Sequence, residues 1–362
     1  MDGRSMMLDL LHQAYERKAS DLHLSVGNPP MLRINGSLLA MNKDLISPED
    51  MEHMAWSLLS EEQLQLFDAM GEVDFLYELE GVSRFRMNVY RQRKGISVAV
   101  RTIALRIPSL EELQLPPIVT SLAGKHQGLI LVTGPTGSGK SSTVAALIDF
   151  INRTQAKHIV TLEDPIEYIH TNQTSIINQR EVGCDTQSFE TGLRAALRQD
   201  PDVIFVGEMR DLETISAAVT AAETGHLVLA TLHTSDAAQT VDRIIDAFPG
   251  HQQNQIRMQL STVLVAVISQ RLFPRMDGQG RECATEILIN TPAVGNLIRS
   301  EKIHQLKSVM QTNHQLGMHT MEMSIKEKLQ TGRIHASVAK TYMVEGGANH
   351  ASVYVPCEEQ FR

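Results

Sequence analysis

A glycine-spaced segment that ends in a lysine and two serines carries the clearest chemistry in the chain. Residues 134–141 read GPTGSGKS, and an apolar run, Leu129–Val132, precedes them. Glycines at this spacing let the backbone turn tightly and bring its N–H groups against phosphate oxygens, where a side chain would clash. The pattern predicts a nucleoside triphosphate site, formed by Gly134, Pro135, Thr136, Gly137, Ser138, Gly139, Lys140, Ser141 and Ser142.

The end of this segment predicts which parts of the nucleotide are contacted. Lys140 can reach the β- and γ-phosphates, and the hydroxyl of Ser141 can ligate Mg²⁺. Residues 143–151 have apolar side chains at helical spacing, so the phosphates would lie at a helix N-terminus. ATP and Mg²⁺ are therefore the expected cofactors.

Two glutamates follow apolar runs and are candidates for hydrolytic chemistry. Hydrolysis of a phosphoryl group needs a metal, a positioned water and cations near the γ-phosphate. We expect Glu208 to orient or deprotonate the water and Glu163 to position the water and the metal, although the sequence leaves the reverse assignment open. His233 follows another apolar run and can contact the γ-phosphate or the water. His226, at the other end of that run, is expected to be structural.

Arginines near the N-terminal end supply candidate cations. Arg84 and Arg86 stand two residues apart in an alternating segment, so they share one face of a strand while Phe85 and Met87 share the other. A solvated charged face is one interpretation. The alternative is that this pair reaches the γ-phosphate bound by a neighbouring subunit. Arg101 from the same region adds to a positive cluster that needs an anionic partner, and ATP is one.

The pattern of predicted helices and strands changes near residue 107. Before it, the pattern predicts a helix, a hairpin at Asn35-Gly36, a helix over residues 48–67 with Ser47 as its N-cap, and alternating strands. This order favours a small α+β domain over residues 1–107. The prolines between residues 108 and 117 predict a linker over residues 108–120.

Beyond the linker, short apolar strands alternate with helices, which is typical of an α/β fold. Strands without polar alternation are buried on both faces of a parallel sheet, and phosphate chemistry belongs at their carboxyl ends. The predicted strands are Leu129–Val132, His158–Leu162, Val203–Val206 and Leu227–Thr231, with helices over 193–198 and 212–224. This domain is expected over residues 121–345, followed by a loosely ordered tail over 346–362.

Composition limits the classes of function. The chain has 362 residues, a formal charge of −9 and 4% aromatic residues, which argue against a nucleic-acid motor. The three cysteines, Cys184, Cys283 and Cys357, fit neither a disulfide framework nor a zinc ribbon, so a reducing, cytoplasmic setting is expected. The longest stretch of low charge, Met258–Gln270, is too short to span a bilayer. Membrane association is expected only through partners.

Together these motifs resemble those of the secretion and pilus motor ATPases, and among them the motors that retract type IV pili. The resemblance covers roughly residues 5–330. Its motifs occur in this order: Asp21–Leu24, the Walker A loop at 134–141, the acidic box Glu163–Glu167, the Walker B segment Asp202–Glu208, and a histidine box from Thr224 to Thr234. Gly207 stands where a generic Walker B has an aspartate, which is usual in this family.

The resemblance implies a fold, an assembly and a task. It implies a PAS-like N-terminal domain and a RecA-like P-loop ATPase domain with C-terminal helices, assembled as a homohexamer. ATP would bind between the two domains, and Arg84, Arg86 and Arg101 would complete the site. The ring would act at the cytoplasmic face of the inner membrane, on a pilus platform protein and the pilus machinery. Its task would be pilus retraction, for twitching motility or related functions.

A C-terminal segment leaves two related functions open. Residues 293–300 resemble a signature of the retraction motors at Asn296–Arg299 but depart from it at Gly295 and Ser300, so an accessory retraction paralogue is an alternative. A pilus extension or type II secretion ATPase is the other. Such enzymes usually carry a four-cysteine zinc module, which three scattered cysteines cannot form. Gly317–Met321 further matches the C-terminal helical region of the family.

Overall fold

The computed structural model describes residues 2–34, 36–93, 95–103, 106–278 and 280–345. The chain divides into two compact units: the first runs to Ile107 and includes Glu167–Ile169, and the second begins at Pro108 and contains the rest. Part of the predicted linker is buried within the second unit, where Leu110 and Val119 join the apolar core. The domain limits remain a prediction. The predicted tail and Cys357 lie outside the described residues.

The first unit is an antiparallel sheet of six strands with three helices. Its strands lie in the order β3-β2-β1-β6-β5-β4. In chain order its elements are α1 (Gly3–Glu16), β1 (Asp21–Ser25), β2 (Met31–Ile34), β3 (Ser37–Ala40), α2 (Pro48–Trp56), α3 (Glu61–Met70), β4 (Glu72–Leu79), β5 (Ser83–Gln92) and β6 (Gly95–Ile103). The predicted hairpin is confirmed by the pairing of β2 with β3, and Gly36 in its turn has φ +89°.

The alternation predicted for β5 sorts its side chains onto two faces. Phe85 and Met87 are fully buried and pack with Met7 and Leu11 of α1 in one core. Apolar residues at every second position of a strand place one face against the helices and leave the other polar. The arginines of β5 therefore lie on the face away from this core.

The single helix predicted over residues 48–67 is wrong, because the chain forms two helices there. Ser60 begins the second one with a capping box: its Oγ accepts a hydrogen bond from the N–H of Gln63 (3.2 Å), and the Gln63 side chain accepts one from the N–H of Ser60 (2.9 Å). Such reciprocal bonds satisfy N–H groups at a helix start and so favour a break before it.

The second unit is built on a seven-stranded sheet in the order β13-β12-β7-β11-β10-β8-β9. All neighbouring strands are parallel except the β12–β13 pair. Its elements are α4 (Pro117–Leu122), β7 (Gly128–Thr133), α5 (Lys140–Thr154), β8 (His158–Glu163), β9 (Ile176–Glu181), α6 (Phe189–Ala196), β10 (Val203–Val206), α7 (Leu212–Glu223), β11 (Leu227–Leu232), α8 (Ala237–Asp246), α9 (Gly250–Val263), β12 (Leu264–Pro274), β13 (Arg281–Ile289), α10 (Pro292–Arg299), α11 (Leu306–Thr312), α12 (Met321–Gln330) and α13 (Ala336–Glu345).

Burial of β7 on both faces confirms the parallel strand predicted there. Leu129 and Leu131 point into one apolar core, whereas Ile130 and Val132 point into the other, and all four are fully buried. The strands predicted at β8, β10 and β11 are confirmed with the same character. In this unit, β9, β12 and β13 were not predicted, since β9 is polar and the apolar start of β12 continues directly from α9. Among the described residues, no helix is long and apolar enough to cross a membrane.

Candidate active site

The carboxyl ends of four neighbouring strands bring the predicted site residues to one edge of the sheet. In register, Thr133 of β7 pairs with Leu232 of β11, and Val206 of β10 pairs with Leu162 of β8. The segments that leave these strands therefore start side by side. They carry the glycine-rich loop, His233, Glu208 and Glu163.

The glycine-rich loop follows β7 and needs glycine for two reasons. Gly134 has φ +141°, and a Cβ there would clash with the carbonyl oxygen of Gln270 and lie 2.6 Å from Ser138 Oγ. Gly137 and Gly139 have φ +78° and +92°, a region that L-residues with side chains rarely adopt. The loop is thus a close-fitting backbone cradle that leads directly into α5.

Lys140 begins α5, and its ammonium group lies inside the loop. Its Nζ donates hydrogen bonds to the carbonyl oxygens of Gly134 (2.7 Å) and Pro135 (3.2 Å) and lies 3.5 Å from Nδ1 of His233. The hydroxyl of Ser138 is buried and has no hydrogen-bond partner in the part of the chain that the structure describes. Ser141 and Ser142 are half-buried in the first turn of α5, and Pro135 and Thr136 are exposed.

These groups fit a nucleoside triphosphate. Backbone N–H groups at a helix N-terminus favour phosphate, and the buried Ser138 hydroxyl and the Lys140 ammonium supply further donors. For Mg²⁺, hydroxyl and carboxylate oxygens such as those of Ser141 and Glu163 are suitable ligands. No cluster of three metal-binding side chains occurs among the described residues, and a nucleotide-bound Mg²⁺ needs only one or two protein ligands besides phosphate and water.

Glu208 is held between two basic side chains. One carboxylate oxygen lies 2.7 Å from Nη2 of Arg210, and the other lies 3.0 Å from Nε2 of His233. Partial burial raises the pKa of Glu208, but the hydrogen bond from Arg210 and the charge interactions with His233 and Arg210 outweigh burial, so that pKa lies below its ordinary value. Glu208 is therefore ionised at neutral pH, with its orientation fixed from both sides.

Glu163 has a different environment at the end of β8. Its Oε1 accepts hydrogen bonds from the hydroxyl of Thr161 (2.7 Å) and the amide of Gln179 (3.0 Å), and its side chain is buried. The Asp164-Pro165 peptide bond, one residue further along the chain, is cis. Thr161 and Gln179 thus hold Glu163, whereas Arg210 and His233 hold Glu208.

Close backbone packing explains why glycine precedes Glu208. The N–H of Gly207 donates to the carbonyl oxygen of Leu162 (2.7 Å), and the Thr231 hydroxyl donates to the carbonyl oxygen of Gly207. A Cβ at residue 207 would lie 3.0 Å from that Leu162 oxygen and 3.2 Å from Cα of Glu163. An aspartate here would therefore push apart the two strand ends that carry the glutamates.

His226 lies at the amino end of β11, away from these strand ends. Its Nδ1 lies 2.9 Å from the carbonyl oxygen of Ala221 and 3.2 Å from the hydroxyl of Thr224. These bonds close the turn after α7. They support the structural interpretation of His226, which stays a prediction.

The three predicted arginines lie in the sheet of the first unit, each against a carboxylate. The pairs are Arg84 with Glu78 (2.9 Å), Arg86 with Asp74 (3.8 Å) and Arg101 with Asp21 (3.0 Å). Arg86 and Arg101 are cross-strand partners, so the three side chains share one sheet face. Exposed ion pairs of this kind are weak, so the guanidinium groups remain available to another anion. Their part in the nucleotide site stays a prediction.

Three residues that contact the candidate glutamates were not predicted as site residues: Arg210, Thr161 and Gln179. Arg210 follows Glu208 by two positions, and that spacing was a usable signal, since a strand-end acid is often paired with a nearby cation. Gln179, which bonds Glu163, lies on β9. Because β9 is polar and was not recognised as a strand, nothing in the sequence pointed to Gln179.

Comparison with known proteins agrees with this geometry. Residues 5–343 match the family model described as type II/IV secretion system protein. The chain belongs to this family. The match spans both units, and it confirms the predicted fold class of an α/β ATPase domain preceded by a smaller α+β domain.

Individual relatives are similar over most of their length. The chain is 45% identical to the type IV pilus retraction ATPase PilT of Pseudomonas aeruginosa over 332 residues, covering 92% of this chain and 96% of the relative. It is 42% identical to the type IV pilus ATPase PilU of the same organism over 325 residues, covering 90% and 85%. A crystal structure of the pilus retraction motor PilT with bound ADP has a TM-score of 0.84 and 48% identity, covering 92% and 96%. The predicted resemblance to the pilus motors is confirmed.

Proposed function

We propose that this protein is an ATP-hydrolysing motor that powers retraction of type IV pili. The observation that carries the proposal is Glu208, ionised and held by His233 and Arg210 on the same sheet edge as the loop around Lys140. Similarity to PilT along nearly the whole chain, and the ADP bound in that PilT structure, support the nucleotide and the task.

Binding is the work of the glycine-rich loop and the start of α5. Lys140 exchanges its carbonyl partners for the β- and γ-phosphates, and the loop N–H groups surround the phosphate oxygens. Ser141 and Glu163 would hold Mg²⁺. When bound, Mg²⁺ neutralises negative charge on the phosphates.

Hydrolysis requires a water aligned with the γ-phosphate. Glu208 accepts the proton of that water because it stays ionised, and His233 keeps the carboxylate oriented toward the phosphate. Glu163, held by Thr161 and Gln179, positions the water and the metal. The reverse assignment of the two glutamates predicts that removing Glu163 would abolish turnover and removing Glu208 would not.

The assembly is proposed from the family and the charge distribution. We infer a homohexamer at the cytoplasmic face of the inner membrane, in which Arg84, Arg86 and Arg101 complete a nucleotide site. Nucleotide that binds one arrangement of the two units better than another shifts their equilibrium, and hydrolysis resets it. The ring would act on a pilus platform protein and the pilus machinery, and single-stranded DNA should not stimulate hydrolysis.

Surface pili provide the decisive cellular test. A strain that lacks the gene should become hyperpiliated, because fibres are built but not withdrawn. Wild-type protein should restore normal pilus numbers, and Lys140→Ala, which removes the phosphate-binding ammonium, should not. Cells that become bald on deletion would show an extension motor instead.

A second candidate, an accessory retraction motor, is favoured by the departure at Gly295. This residue lies on α10 where a Cβ would be 3.1 Å from the carbonyl oxygen of Ser261 on α9, so an arginine side chain would need these helices to shift. The comparable similarity to PilU points the same way. An accessory motor would restore retraction only in cells that keep another retraction ATPase, whereas a principal motor would restore it alone.

A further inference from the structure

One buried carboxylate outside the candidate site joins two helix starts. Glu286 lies on β13 and is 5% exposed. One of its oxygens accepts the N–H of Ala237 (2.8 Å), and the other accepts the N–H of Met321 (3.2 Å). Ala237 begins α8 and Met321 begins α12, so each oxygen satisfies a first-turn N–H group that has no partner within its own helix.

The side chain of Glu286 lies at the positive ends of two helices, α8 and α12. A carboxylate near a helix N-terminus is stabilised by the helix dipole, and here two dipoles converge on one group. Burial nevertheless raises the pKa of Glu286 more than the two N–H groups lower it. Glu286 is therefore costly to bury. Because it bonds both helix starts, its replacement should disturb both of them.

The first of these helix starts directly follows His233. Residues 233–236 connect β11 to α8, and their side chains bond to α8 itself: Thr234 to the hydroxyl of Thr240 (2.7 Å) and Asp236 to the N–H of Gln239 (2.8 Å). The loop and the first turn of α8 therefore form one body. The bond from Ala237 to Glu286 fixes that body to β13, and with it the ring that contacts Glu208.

The second helix start follows a C-terminal segment that lies along β13. His319 and Ile287 exchange backbone hydrogen bonds of 2.9 and 3.2 Å, and Nε2 of His319 lies 2.8 Å from the hydroxyl of Thr285. The N–H of Thr285 donates to the hydroxyl of Ser324 in α12 (3.1 Å). Residues 317–321, which matched the family pattern but have no place in the chemistry above, are thereby tied to Glu286.

We propose that Glu286 is a positioning residue for hydrolysis, which couples the loop at 233–236 to the C-terminal segment at 317–321. This inference rests on the proposed role of His233 and Glu208. Glu286 touches no reacting atom: it acts through Ala237 on the orientation of His233. A displacement of the C-terminal segment then reaches the candidate active site through one side chain.

Glu286→Gln tests this, since the amide keeps the size of the side chain but turns one acceptor into a donor that faces an N–H group. We expect kcat for ATP hydrolysis to fall about tenfold, because small misplacements of aligned groups are costly, while the Kd for a fluorescent ATP analogue changes less than about twofold. Measurements are made well below the melting temperature of each variant.

Glu282→Gln is the matched control. Glu282 is a second buried carboxylate on β13, but it binds Lys328 (2.9 Å) and Arg333 (3.1 Å) and makes no bond to the loop. Its loss should lower the melting temperature at least as much as Glu286→Gln and leave kcat near the wild-type value. Equal losses of kcat in both variants would make Glu286 merely structural and would overturn the proposal.

A double-mutant cycle with His233→Ala tests whether Glu286 acts through His233. If Glu286 acts through His233, adding Glu286→Gln to His233→Ala should change kcat less than about twofold, whereas independent effects would multiply. Multiplying effects would overturn the proposal. Wild-type protein without any hydrolysis would instead refute the proposed function.

If Glu286→Gln does not fold, hydrogen exchange in the wild-type protein tests the coupling instead. A non-hydrolysable ATP analogue should change amide protection in residues 237–240 and 319–324 together. A response confined to the first segment would contradict the coupling.

Discussion

Glu208 differs from an ordinary acid at the end of a strand because two basic groups hold its two oxygens. Arg210 and His233 lower the pKa of Glu208 against the opposing effect of burial. A base with a low pKa is weak but stays ionised. Such a base is useful where the attacking water loses its proton late in the reaction. Because of this low pKa, Glu208 contributes to stability at pH values above the ordinary pKa of a glutamate. The contribution is lost as pH falls through the lower pKa that Glu208 has in the folded protein.

Arg210→Ala should move the acid limb of the pH–rate profile. Without the guanidinium, burial of Glu208 is less well opposed, so the pKa of Glu208 should rise. Because the base must be ionised, kcat/KM should then begin to fall at a higher pH than in the wild type, by up to about one pH unit. The measurement is kcat/KM from pH 8 down to the lowest pH at which both proteins stay folded.

Arg275→Ala serves as the control, since this exposed arginine pairs with Asp277 (2.9 Å) and makes no recorded bond to Glu208. Its profile should match that of the wild type. An unmoved acid limb in Arg210→Ala would show that another group sets it.

At the scale of elements, the ends of β8 and β10 determine where the two glutamates stand. Gly207 lets these strand ends approach, with a direct bond from its N–H to the Leu162 carbonyl oxygen. Gly134 likewise lets the glycine-rich loop approach β12 closely. The site is therefore built by close contacts of backbone, and small added volumes should disturb it.

Gly207→Ala should destabilise the protein by about 1–3 kcal/mol, because the added methyl meets backbone atoms that cannot turn away. Thermal unfolding monitored by circular dichroism measures this. Gly250→Ala, where a Cβ meets nothing within 4 Å, should leave the melting temperature unchanged or slightly raised. Equal melting temperatures for the two variants would contradict the packing argument.

Local patterns predicted much of the α/β unit and its site. The loop at 134–141 and the strands before Glu163, Glu208 and His233 are short apolar runs with polar ends, and such signals need no distant partner. The break between α2 and α3 was missed because the capping box at Ser60 was overlooked. Gln179 and Glu286 were missed for a deeper reason: each acts through residues distant in sequence, Gln179 through a neighbouring strand and Glu286 through two helix starts, and a linear pattern does not report such contacts.

At the scale of the whole molecule, the arginines and the glycine-rich loop belong to different units of the chain. In a ring, each nucleotide site can combine a loop from one subunit with arginines from another. The proposal that Arg84, Arg86 and Arg101 complete the site is therefore a statement about assembly as well as about residues.

Mixed assemblies of two defective variants test this arrangement. Arg86→Ala keeps an intact loop, and Lys140→Ala keeps intact arginines, so each alone should turn over ATP slowly. If the arginines act across an interface, mixed rings contain some sites with both parts intact, and turnover of the mixture should exceed that of either variant. A mixture no faster than its components would place both parts within one subunit. Wild-type protein mixed with Lys140→Ala controls for subunit exchange.

The role of Glu208 in hydrolysis is tested by phosphate release from ATP in the wild type and in Glu208→Gln, with binding of a fluorescent ATP analogue followed in parallel. We expect the wild type to turn over ATP and the variant to bind the analogue with similar affinity. Its kcat should fall by about a hundredfold or more, because the base is lost and the cradle is not. Undiminished phosphate release by Glu208→Gln would show that Glu208 is not the base.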